Sequence, residues 1–178
     1  MQKILKLVLI VVVTIGLVYV LAAYIRMDSF SFAWILNFML MTGVLAFTET
    51  LKSDLASSYY REKKWERGGK IYEQFGINFF RKLLVWVGWE KLHKKNNPVA
   101  KDIQALKHLH HQTKKSELGH MIILFIVFGF NIFVAVKFGF LKSLSLLTLN
   151  VLFNLYPIFL QRYNRPRIER AIALSKNR

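Results

Sequence analysis

The sequence predicts an all-α integral membrane protein: four transmembrane helices with an amphipathic, interfacial helical cytoplasmic loop. Three observations predict it. Of the 178 residues 54% are hydrophobic, and the mean hydropathy is +0.31, too apolar for a soluble chain to hide its surface. Against this stand 26 Lys+Arg and only 10 Asp+Glu, a net charge of +16. The apolar runs and the basic blocks alternate along the chain, as they do in proteins that cross a bilayer several times. The chain reads as a single membrane domain, 1–178, with spans at about 5–25, 30–48, 118–136 and 143–161 and a cytoplasmic loop at 52–117.

The first span follows Lys3 and Lys6. Leu7–Ile25 is free of charge for 19 residues, long enough to cross a hydrocarbon core of roughly 30 Å. A cleaved signal peptide is the rival reading. The run is longer than a usual signal core, and Ala22-Ala23 offers only a weak cleavage site, so an uncleaved span is expected. Arg26–Ser29 is a tight connection to the second span, Phe30–Thr48, in which Gly43 allows close helix approach and which Glu49 closes.

The loop Lys52–Glu117 holds 15 basic and 7 acidic residues. Tyr59-Tyr60, Trp65, Ile71-Tyr72 and Phe75 recur among its charges in a roughly helical rhythm, and Gly68-Gly69 breaks it. Ile77–Leu92 is amphipathic and too charged to span. Its Trp86 and Trp89 suit a helix lying in the headgroup layer. Lys94–Asn97 with Pro98 is a turn, and Val99–Lys115 reads as a basic helix. Lys137–Lys142 is a short basic turn between the third and fourth spans, and Ile168–Ser175 reads as a separate surface helix.

Loop charge sets the orientation. Lys3, Lys6, the Lys52–Lys115 loop and Arg162–Arg178 fall on one side, leaving Arg26, Asp28, Lys137 and Lys142 on the other. The basic side is expected to be cytoplasmic, with both termini inside, in a bacterial cell membrane. Nucleic acid is not an expected partner, because no nucleic-acid motif occurs and the basic blocks lie beside spans. The chain has no cysteine, which excludes a thiolate nucleophile, disulfides and Cys-ligated metal. His93, His108, His110 and His111 lie in the basic loop, and His108-Leu109-His110-His111 has lysines beside it with only Asp102 near. They read as a solvated helix face, and no metal site is expected. No phosphate loop and no Gly-x-Ser-x-Gly is present.

Some polar residues are out of place in a bilayer. Asn150 and Asn154 share a helix face, which Pro157 and Gln161 continue. Pro157 removes a backbone donor and frees the carbonyl one turn earlier. The stripe runs into Gln161-Arg162-Tyr163-Asn164-Arg165-Pro166-Arg167. Two readings stay open: snorkelling anchors with a Pro-terminated helix, or the polar mouth of an embedded site whose arginine forks suit phosphate or carboxylate. Glu117 and His120, three apart at the start of the third span, pair a carboxylate with an imidazole, which would fix the tautomer and raise the basicity of a general base.

Three segments together resemble a known family. They are Trp65-Glu66-Arg67-Gly68-Gly69-Lys70-Ile71-Tyr72, Thr113-Lys114-Lys115-Ser116-Glu117-Leu118-Gly119-His120, and Asn154 with Pro157 and Gln161–Arg167. The pattern, covering roughly Trp65 to Arg167, is similar to the glycosyl-4,4′-diaponeurosporenoate acyltransferases, small membrane acyltransferases of carotenoid glycoside assembly. The resemblance implies transfer of a fatty acyl chain to a sugar hydroxyl of a membrane lipid or carotenoid glycoside. It implies no bound cofactor and acyl-CoA as the co-substrate. On it, His120 is the base, positioned by Glu117. Arg162, Arg165 and Arg167 with Asn164 hold an anionic donor head or the charge growing on the carbonyl oxygen. Asn154, Gln161 and Tyr163 line the same polar mouth, and Trp65, Glu66 and Tyr72 close over it from the loop. The aromatic richness of Phe79–Leu92 departs from the family's pattern and leaves the acceptor open. Another small lipid-modifying enzyme, a reductase or methyltransferase, or a scaffold that binds anionic lipid, stands as the alternative.

Overall fold

The computed structural model of the protein describes residues 1–88 and 103–176. The described residues are helical, without a strand. The chain divides into two compact units, Met1–Ser53 with Leu118–Pro157 and Asp54–Glu117 with Ile158–Arg178.

In the first unit, α1 (Gln2–Tyr24) and α2 (Phe30–Leu51) are joined by a short turn. Ser29 Oγ caps α2 by accepting from Phe32 N–H at 3.1 Å, and Arg26 closes the turn on Asp28 at 3.0 Å. Both helices are long and apolar enough to cross a membrane. The only buried residue of α1 is Leu21, and Ile4, Leu5, Val8, Leu9 and Val12 are exposed. Such a surface belongs in lipid and not in water. α2 faces inward with Phe32, Ala33, Leu36, Leu40 and Val44, whose spacing is that of one helical stripe. Gly43 does permit close approach to α1, since a Cβ built there would meet Thr14 Oγ1 at 2.5 Å.

The loop after α2 contributes two short helices, α3 (Ile71–Gln74) and α4 (Ile77–Trp86). Two further helical stretches are long and apolar enough to span. The first is α5, Ile103–Phe138. It ends at Gly139, whose φ of 95° suits a residue without Cβ. α6 (Phe140–Asn150) then passes through a π-helical turn, Val151–Leu155, into α7 (Tyr156–Lys176). Ile123, Val127, Val134, Leu146 and Leu149 complete the core of the first unit.

Several boundaries differ from those expected of the sequence. α2 continues through Glu49 to Leu51. The basic helix expected up to Lys115 and the third span are one 36-residue helix. The basic turn Lys137–Lys142 shrinks to the single break at Gly139. Pro166 does not end the last helix, and Ile168–Ser175 continues it. An interior proline costs roughly 3 kcal/mol of helix propensity. Here Arg162, Arg165 and Arg167 are tied to other segments on both sides of Pro166, which offsets that cost.

In the second unit the loop is ordered by turns. Ser57 Oγ accepts from Tyr59 N–H at the start of the 3-10 turn Ser58–Tyr60. A second 3-10 turn, Lys64–Gly69, contains three consecutive left-handed residues, Arg67, Gly68 and Gly69. α4 buries Ile77 and Phe80 while Phe79, Val85 and Trp86 are exposed, the surface of a helix that rests in an interfacial layer. The expectations for Trp89, for Glu90-Lys91-Leu92, for His93, for the turn at Lys94–Pro98 and for the helix start at Val99–Asp102 lie outside the described residues.

Candidate functional site

In the second unit a buried carboxylate gathers the arginines of α7. Glu117 is fully buried. Its Oε1 accepts from Arg162 Nε at 2.7 Å, and its Oε2 accepts from Arg165 Nη2. Arg162 and Arg165 are three apart on α7, so both forks fall on one face. Arg162 Nη1 reaches Glu66 Oε1 at 2.9 Å and its Nη2 donates to Tyr59 O at 3.2 Å. Arg165 also donates to Thr113 Oγ1 at 3.2 Å and to Tyr60 O at 3.1 Å. Two guanidiniums and two carboxylates balance.

Glu66 sits at the centre of the Lys64–Gly69 turn. It accepts from Tyr72 Oη at 2.5 Å and from Lys63 N–H at 2.5 Å. Burial alone would raise its pKa. The bonds from Tyr72, Lys63 and Arg162 outweigh burial and hold the carboxyl below the usual Glu range. Burial and the bonded Glu66 push the Tyr72 hydroxyl well above its ordinary value. Burial, then the Glu117 charge, raise Tyr59 and Tyr60. A recess beside these groups, lined in part by Tyr60, Glu66 and Arg165, has a cavity volume of about 10 Å³, room for about one water.

The loop meets α7 closely at Gly69. A Cβ there would stand 2.9 Å from Tyr163 O and 3.2 Å from Arg167 Nη1. Arg167 donates to Tyr163 O, lies 3.5 Å from the Tyr163 ring centroid and reaches Glu73 at 3.5 Å. Tyr163 Oη accepts from Arg81 at 3.4 Å, and Gln161 Nε2 donates to Ser116 Oγ at 3.2 Å. Asn164 is half-buried and its side chain makes no bond to the described residues. Trp65 is largely exposed, its ring 6.3 Å from that of Tyr72.

The first unit holds a separate polar cluster built on carboxamides. Asn154, fully buried in the π turn, donates through Nδ2 to Asn37 Oδ1 at 2.8 Å and to Asn150 Oδ1 at 2.9 Å. Its Oδ1 faces His120 Nδ1 at 3.4 Å. Pro157 has no N–H, so the Phe153 carbonyl four residues back lacks its helical donor, and that carbonyl also faces the His120 ring. The π register is visible at Tyr156, whose N–H bonds Val151 O, five residues back.

One expectation about pairing is therefore corrected. Glu117 spends both oxygens on Arg162 and Arg165, and the side chain against His120 Nδ1 is Asn154. A carboxylate one helical turn from an imidazole pairs with it only when no stronger cation competes, and here two guanidiniums do. The forks of Arg162, Arg165 and Arg167, assigned by the resemblance to an anionic donor, are occupied by Glu66, Glu117 and Glu73 of this chain. Asn37 belongs to the carboxamide cluster and Thr113 to the arginine cluster, and neither was given a role from the sequence. A signal existed for Asn37, the one carboxamide inside the apolar second span.

Described residues that are helical without a strand, four helices long and apolar enough to cross a membrane, buried carboxamides around an imidazole in one unit and an arginine–carboxylate core in the other define an integral membrane protein, of the acyltransferase class once the family comparison is added. A family model described as glycosyl-4,4′-diaponeurosporenoate acyltransferase matches residues 56–174. That is about two thirds of the chain, and the chain belongs to this family. Neither the curated proteins nor the solved structures gave a match.

Proposed function

We propose that this protein moves a fatty acyl chain from an activated donor, acyl-CoA or a similar thioester, to a hydroxyl of a carotenoid glycoside or related lipid glycoside in the membrane. The observation that carries this reading is the family match across 56–174, whose description names a glycosylated carotenoid acid as the acyl acceptor. Such an acceptor has a sugar head on a long apolar polyene, so it resides in the bilayer, where a four-helix protein can meet it.

His120 is the proposed base. Its Nε2 takes the proton of the sugar hydroxyl as the oxygen attacks the thioester carbonyl carbon. The new C–O bond forms, the C–S bond breaks, and the thiolate leaves and receives the proton. Asn164 and Gln161 are proposed as polar contacts to the substrates, and Trp65 as an apolar one. The arginines are proposed chiefly as a frame, because their charges are already balanced by Glu66, Glu117 and Glu73. The basic loop and both termini are proposed to face the cytoplasm, on the excess of Lys and Arg there, which is also where acyl-CoA is made available.

The test supplies full-length protein in lipid nanodiscs with acyl-CoA and a carotenoid glycoside, and reads the ester by mass spectrometry. Wild type is expected to form it, and a folded His120→Gln variant to lose at least about 100-fold, the lower end for general-base catalysis. Equal turnover in that variant overturns the base assignment. Absence of ester with every glycoside and thioester supplied overturns the reaction.

A further inference from the structure

We infer that a chain of buried carboxamides fixes His120 in its Nδ1–H tautomer, with Asn37 and Asn150 as positioning residues that set it. The inference rests on the reading of His120 as the base and says how the protein prepares it.

Two backbone carbonyls set the direction of the whole chain. A carbonyl oxygen only accepts, whereas a carboxamide has one accepting oxygen and one donating nitrogen. Asn37 lies 2.8 Å from Ala33 O, and Asn150 lies 3.0 Å from Leu124 O. Each must turn its nitrogen to that carbonyl, so each turns its oxygen the other way. Both oxygens converge on one atom, Asn154 Nδ2, at 2.8 and 2.9 Å. The two N–H groups of Asn154 thereby meet two acceptors, and reversing its amide would set three oxygens against one another. Asn154 Oδ1 is left for His120 Nδ1 at 3.4 Å. An oxygen in that place requires an N–H on the ring.

Burial makes the assignment stringent. Asn37, Asn150 and Asn154 are 1%, 2% and 0% exposed, so water does not stand in for a lost partner, and an unmatched polar atom there is costly. A neutral imidazole with hydrogen on Nδ1 carries its lone pair on Nε2, the atom that takes the hydroxyl proton in the proposed reaction. Asn37 lies outside the 56–174 segment that the family model matches, so its part comes from the fold alone.

The experiment is nitrogen NMR on full-length protein labelled with [15N]histidine, in lipid nanodiscs at alkaline pH. The His120 signals are assigned by their loss in His120→Gln. The expected wild-type spectrum shows Nδ1 protonated and Nε2 bare. Asn37→Asp, neutral when buried, keeps a donor for Ala33 O and an acceptor for Asn154, and is expected to keep the signature. Asn37→Leu combined with Asn150→Leu removes both acceptors, lets Asn154 reverse, and is expected to give a mixture of tautomers. An Nε2–H or imidazolium ring in wild type overturns the inference. So does an unchanged Nδ1–H signature in a folded protein that carries both Asn37→Leu and Asn150→Leu. Because the readout is a nitrogen shift, it decides the tautomer even where His120→Gln keeps its turnover, a result that would remove only the base role.

Discussion

Arg162 Nε stands 2.7 Å from Glu117 Oε1, and the pair is drawn from positions 45 residues apart in the chain. The side chains are 10% and 0% exposed. With Arg165 on the second oxygen, Glu117 joins two turns of α7 to α5 within the second unit.

Glu117→Gln should therefore destabilise strongly, because it leaves two buried guanidiniums with a neutral partner. Breaking a buried pair costs about 3–5 kcal/mol, to be read as a lower denaturant midpoint in detergent. Arg165→Lys should recover only part of the wild-type stability, since an ammonium cannot bridge Glu117, Thr113 and Tyr60 together. An unchanged midpoint with a raised KM for the thioester would assign Arg165 to the donor instead.

Gly69 and Gly88 both have φ near 80°, yet a Cβ at Gly69 meets Tyr163 O at 2.9 Å whereas one at Gly88 meets nothing within 4 Å among the described residues. Gly88→Ala should lose only the conformational term, about 1–2 kcal/mol. Gly69→Ala should lose more, by about 1–3 kcal/mol of overpacking. Thermal unfolding of the two variants makes the comparison, and equal losses would mean that the loop does not press on α7.

Acid should loosen the second unit through Glu66. Its folded pKa lies below the ordinary value of 4.5, so the unfolded chain takes up the proton first as pH falls. The stabilisation is complete above the ordinary Glu range and is lost as pH drops from there through the depressed folded value. A melting temperature measured against pH should fall across that window in wild type, and the fall should be shallower in Glu66→Gln.

In the first unit, Gly43→Ala would bring a methyl within 2.5 Å of Thr14 Oγ1. A cost of about 1–3 kcal/mol is expected. Adding Thr14→Ala should restore most of it, and a double-mutant cycle in thermal unfolding would measure the coupling.

The membrane helices were legible because a hydrocarbon core demands charge-free runs of about 20 residues, and a helix facing water does not tolerate them. Gly43 could be read as a contact point because small residues let helix backbones approach in lipid. The helix ends were not legible. Pro166 reads as a stop, yet the helix runs on through it, with Arg162, Arg165 and Arg167 bonded to other segments on either side. Site residues stood out as unusual, since an Asn, Glu or Arg at a membrane edge is conspicuous. Their partners did not, because pairing is decided by distance in space. Glu117 is three residues from His120 in sequence, and nothing in that spacing reveals that Arg162 and Arg165 claim both its oxygens.

The contact from Asn154 Nδ2 to Asn37 Oδ1 bears on how enzymes of this kind can be re-engineered. Residues 56–174 are the portion that marks the family, and a builder of chimaeras would be tempted to graft them behind any convenient pair of anchoring helices. A donor scaffold with leucine at the place of Asn37 would insert and sit in the bilayer as well as before. The chain of carboxamides behind the imidazole would then lack one of its two fixed oxygens, and on the proposed role of His120 the hybrid would be a sound membrane protein with a loosened centre.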